Sequence, residues 1–64
     1  MRMSAEEYSI RLKEYSPSTK ELITFLMYQE EEIAHQMCEI SADPNLTEEQ
    51  VVEKLTKLKE SIQK

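Results

Sequence analysis

The chain of 64 residues has no glycine and no tryptophan, one cysteine and two prolines. Each shortage excludes something. Glycine enters the left-handed backbone region at little steric cost, so without it the turns are expected to fall at Pro17 and Pro44. Cys38 has no second cysteine to pair with, which excludes an internal disulfide. A lone cysteine, together with the lack of an apolar leader at the N-terminus, sets the expectation of a cytoplasmic protein.

Long hydrophobic runs are also missing. The most apolar stretch, 22–28, falls far short of the roughly 20 residues a membrane-spanning helix needs, so no membrane association is expected. Lys and Arg number eight against thirteen Asp and Glu, a net charge of −5. Nucleic-acid binding rests on clustered Lys and Arg that neutralise phosphates, so the acidic balance argues against a nucleic-acid partner. No Gly-rich phosphate loop is possible, no serine or cysteine has an evident base beside it, and no carboxylate pair is confined to a pocket. Neither an enzyme nor a cofactor is expected.

What the chain does contain is helix punctuation. Ser4 with Glu7 forms a capping box, in which each side chain satisfies the other residue's free backbone donor. It predicts a short helix over about 5–15, with Tyr8, Leu12 and Tyr15 on one stripe and Ile10 opposite. The Ser16-Pro17-Ser18-Thr19 segment ends it and starts another, capped either by Ser16 with Pro17 at the first helical position or by Ser18 with Glu21. No proline or glycine then intervenes before Pro44, which predicts one long central helix over about 17–41. Asp43-Pro44-Asn45 reads as a turn. Thr47 with Gln50 is a second capping box, opening a helix over about 48–63 whose Val51, Leu55, Leu58 and Ile62 follow 4-3-4 spacing.

The expected fold is therefore all-α, a single helical domain over 1–64. It is a small bundle of two or three helices, with the short first and the last antiparallel to the long central one. On a wheel of 100° per residue, the apolar residues of the central helix fill an arc of about 220°, about twice what one packing contact consumes. A chain this short buries only about 60% of its unfolded surface. Both points lead to the expectation that dimerisation, or a higher homo-oligomer, completes the bundle through Ile23, Met27, Glu30, Ala34 and Met37. Glu30 is the anomaly of that set. It either sits at the solvent edge of the arc or meets a Lys or Arg of another helix or subunit.

Charge is segregated along the chain. Residues 21–50 carry Glu21, Glu30, Glu31, Glu32, Glu39, Asp43, Glu48 and Glu49 with no Lys or Arg. Either Lys54, Lys57 and Lys59 lie beside these acids as surface pairs, or the acidic side meets a basic protein partner and steers its approach. Glu21, Tyr28, Glu32, His35 and Glu39 share one side of the expected helix and form the candidate partner-binding face, with Tyr28 as aromatic anchor.

One local motif points elsewhere. Glu31-Glu32-Ile33-Ala34-His35, with Glu39 one turn on, contains a Glu-x-x-His spacing. Over five residues it resembles the ligand pair of ferritin-like di-iron carboxylate proteins, in which both groups point into a four-helix bundle. The resemblance implies a metal-binding bundle as the alternative function, although the wheel turns Glu32 and His35 away from the apolar arc. The leading expectation is a small interaction or regulatory protein that self-associates and offers an acidic surface to a basic partner.

Overall fold

The computed structural model describes residues 2–63. Among these there are four helices, α1 (Ala5–Glu14), α2 (Pro17–Met27), α3 (Glu31–Ser41) and α4 (Glu48–Ile62). The all-α expectation holds, but the count of two or three helices does not, because the single central helix is broken at Tyr28-Gln29-Glu30.

The other boundaries follow local chemistry. Ser4 accepts from the Glu7 N–H while the Glu7 carboxylate accepts from the Ser4 N–H at 3.1 Å. Ser16 caps α2 with Pro17 in the first turn, so the first of the two possible starts is the one used. Thr47 and Gln50 form the box that opens α4. No described residue has a positive φ, so the absence of glycine costs these turns nothing.

The elbow between α2 and α3 has no proline, and its cause is tertiary. A straight helix over 17–41 would be about 37 Å long, more than the 33 Å longest dimension of the folded chain. Bending it lets Ile23 and Leu26 of α2 join Met37 of α3 and Val51 and Leu55 of α4 in one core. Each such burial is worth about 1.5–3 kcal/mol. Against this stands the loss of a few helical hydrogen bonds, worth about 0.5–1.5 kcal/mol each. Part of that loss is recovered locally. The Gln29 N–H donates to the Leu26 carbonyl and its Nε2 donates to the Phe25 carbonyl, both at 3.2 Å. The break also places Glu31 and Glu32 in the first turn of α3, where carboxylates are favoured by the helix dipole.

α2, α3 and α4 pack against one another, and α1 closes the end of the bundle near the α3–α4 connection. Tyr15 is buried and donates its hydroxyl to the Ser41 carbonyl at 2.8 Å. The Tyr8 hydroxyl lies 2.6 Å from Ser41 Oγ, which itself donates to the Met37 carbonyl at 2.8 Å. Arg11 donates to the carbonyls of Asp43 and Leu46, with its guanidinium 5.5 Å from the centre of the Tyr15 ring. Among the described residues no buried side-chain polar atom lacks a partner. The radius of gyration is 10.9 Å, against about 10.7 Å for a compact domain of this length, so one chain closes its own core.

Candidate functional site

The elbow redistributes the residues singled out by the sequence. Of the five expected at an interface between copies, Ile23 and Met37 are buried in the chain's own core and Ala34 is half-buried. Met27 and Glu30 are exposed. Glu30 is the N-cap residue of α3 and makes no side-chain capping bond. The broad arc was an attribute of a straight helix. Once that helix folds back, Ile23 and Leu26 from one half of the arc and Met37 from the other meet in the same core.

The acidic stripe divides as well. Glu21 stays on α2, where it lines a shallow groove of about 320 Å³ together with Leu22, Phe25, Val52 and Lys59. Glu32, His35 and Glu39 remain on α3 and exposed, beyond the break. Glu39 is engaged by Arg2 at 3.1 Å and by His35 Nε2 at 3.6 Å. The expected pairing of the α4 lysines with these acids is absent among the described residues. Lys59 instead lies over the Phe25 ring, 4.9 Å from its centre.

Tyr28 and Met27 sit at the corner itself. Tyr28 is 81% exposed and Met27 51%, and with Ile10 at 55% they are the exposed large hydrophobics of the described chain. Glu30, Glu31 and Glu32 follow immediately in sequence and are all exposed. An amphipathic aromatic and a flexible thioether beside three carboxylates make a surface on which an apolar group can seat while cationic groups meet the rim. A run of three acids directly after Tyr28-Gln29 is a first-turn signature, and it was the sequence signal for this corner.

The metal alternative gains nothing from the geometry. Among the described residues no group of three or more His, Cys, Asp or Glu side chains could hold an ion. Of Glu31, Glu32, His35 and Glu39, only the last two come into contact.

The perturbed ionisations lie away from the corner, at the joints of the fold. Burial raises the Tyr8 hydroxyl above its ordinary value, and burial likewise raises Tyr15. Glu48 is lowered, chiefly by the Ser16 backbone N–H and then by the Thr19 hydroxyl at 2.8 Å, so its carboxylate ties the start of α4 to the start of α2. These groups tie helices together. No helix among the described residues is long and apolar enough to cross a membrane. In comparisons with protein families, curated proteins and solved structures, the chain has no match.

Proposed function

We propose that this protein is a small interaction module whose docking surface is the α2–α3 corner, and that its partner is a basic segment of another protein. The observation that carries this reading is Tyr28, 81% exposed beside the half-exposed Met27, with Glu30 at the N-cap and Glu31 and Glu32 in the first turn of the helix that follows. Soluble monomers expose single apolar residues routinely. An aromatic flanked by a methionine and three like charges is a composition suited to recognition, because the ring supplies contact area while the carboxylates steer and select.

Of the original acidic face, Tyr28 and Glu32 carry the reading. His35 and Glu39 extend it along α3, with Glu39 partly neutralised by Arg2. Glu21 belongs to the α2–α4 groove and is left out. Self-association is not needed for this role.

A peptide-display selection against the purified protein tests it. The selected peptides should be enriched in Lys and Arg around one apolar residue. Tyr28→Ala should weaken them about 30-fold, the loss expected for an aromatic hot spot, and charge reversal at Glu31 and Glu32 should remove binding. Tyr28→Ala should keep the parent melting curve, and the charge-reversed variant, which opposes the α3 dipole, should melt lower but still cooperatively. Peptides without excess positive charge, or peptides indifferent to Tyr28→Ala, would overturn the reading.

A further inference from the structure

The α2–α3 elbow is built entirely from residues that are at home in a helix. No glycine or proline lies between Pro17 and Pro44. Tyr28 has φ −91° and ψ 9°, close to helical values, and Glu30 is extended at φ −56° and ψ 153°. Straightening the elbow would turn the Glu30 ψ from extended to helical and join the 11 residues of α2 to the 11 of α3, a change that no glycine or proline in the segment opposes. The Glu30 side chain makes no capping bond that the change would break.

The tertiary bonds have a matching property. Every side-chain hydrogen bond or ion pair that links distant parts of the described chain joins a residue before the elbow to one after it. Arg2 pairs with Glu39, Tyr8 with Ser41, Arg11 with Asp43 and Leu46, Tyr15 with Ser41, and Ser16 and Thr19 with Glu48. The core divides in the same way, with Tyr15, Ile23 and Leu26 before the elbow and Met37, Val51 and Leu55 after it. Each half thus completes the other and holds few such bonds within itself.

We propose that Tyr28-Gln29-Glu30 is an exchange hinge, and that two copies of the chain can assemble by straightening it. The α1–α2 half of each copy then packs on the α3–α4 half of the other. All the bonds named above re-form between copies, the helical hydrogen bonds interrupted at the elbow are regained, and the only new requirement is the concentration of a second chain. Exchange requires the two halves to separate, so monomer and dimer interconvert slowly and are trapped on cooling.

The test uses the whole chain, heated through its melting transition at millimolar concentration, cooled, diluted and resolved by size-exclusion chromatography with light scattering. A dimer that persists for hours after dilution is the expected product. Glu31→Pro then separates exchange from simple surface contact. Position 31 is the first residue of α3, where proline is favoured, and the extended Glu30 before it suits a following proline. The elbow therefore tolerates the substitution, whereas a continuous helix would lose a hydrogen bond and clash with the preceding turn, disfavouring it by about a hundredfold per chain.

Glu31→Pro should keep the monomer's helical spectrum and melting temperature and eliminate the dimer. Glu30→Ala, which favours helix through the elbow, should raise the dimer yield. Chains that remain monomeric after annealing at millimolar concentration overturn the proposal, as does a dimer that survives Glu31→Pro. If Glu31→Pro itself fails to fold, the Glu30→Ala yield decides, and no increase overturns it.

Discussion

The docking of α1 gives a quantitative test. Tyr8 is half-buried, with its hydroxyl 2.6 Å from Ser41 Oγ, and Ser41 is fully buried and donates to the Met37 carbonyl. Since Ser41 has one proton and gives it to Met37, Tyr8 is the donor in the first bond. Tyr8→Phe removes that donor and leaves Ser41 still bonded, a loss of about 1 kcal/mol. Ser41→Ala removes the acceptor and strands the Tyr8 proton, with only the Met37 sulfur at 4.0 Å to receive it. That change should cost about 2 kcal/mol, nearer the penalty for an unsatisfied buried group. In a domain of this size each kcal/mol lowers the melting temperature by about 4–8 °C, so the two variants should melt about 4–8 and 8–16 °C below the parent. The double variant is decisive. If both act through one bond, it loses about 2 kcal/mol rather than the additive 3, a coupling of about 1 kcal/mol by thermal melts followed by circular dichroism. Additivity within about 0.3 kcal/mol would refute the docking bond. Ile10→Ala, on the exposed side of α1, should move stability by less than about 0.5 kcal/mol.

Other expectations follow from the same geometry. Leu26 and Leu55 are fully buried, so either leucine replaced by alanine should cost about 2–5 kcal/mol, enough to leave much of the population unfolded at 25 °C by urea titration. The lowered Glu48 carboxyl makes its unfolded form bind protons first as pH falls, so stability is fully present above about pH 4.5 and declines through the folded value. Glu48→Gln should flatten that acid limb in pH-dependent melts. The raised Tyr8 and Tyr15 act in the opposite direction. Below pH 10 their contribution is complete, and above it the unfolded chain ionises first and stability falls as pH rises toward the folded values. Tyr8→Phe should soften the alkaline limb. Protein folded at low concentration and never annealed should sediment as a monomer at micromolar concentration, because among the described residues only Ile10, Met27 and Tyr28 are large exposed hydrophobics. A dimer under those conditions would restore a surface contact between copies.

Local chemistry carried the helix starts. Ser4 with Glu7 and Thr47 with Gln50 act within four residues, so their identities suffice to place the starts of α1 and α4, while the start of α2 was narrowed to Ser16 or Ser18 and the structure uses Ser16. The apolar stripe of α4 was equally legible, with Val51 and Leu55 buried as their spacing requires, whereas α1 has no fully buried residue and Tyr15 is buried at its C-cap, just beyond the helix. The candidate surface was legible only in part. Tyr28 and Glu32 were identifiable as exposed, but the elbow was not, and it leaves Met27 and Glu30 exposed at the corner and puts Glu21 on α2 and Glu39 on α3.

The missed elbow has one physical source. Residues 17–41 contain nothing that forbids a helix, so their own preferences specify a straight one and make its apolar arc look too wide for a single chain. The decision between straight and bent belongs to groups far apart in sequence. Ile23 and Leu26 gain by meeting Met37, Val51 and Leu55, and Tyr15 and Tyr8 gain by reaching Ser41. The sequence by itself determined that the chain is helical, where most helices begin, and that positive charge is missing from residues 21–50. Only the tertiary structure decided that the middle helix bends, because burial is summed over partners that local propensity cannot weigh, and that bend is what brings Tyr28 to an exposed corner.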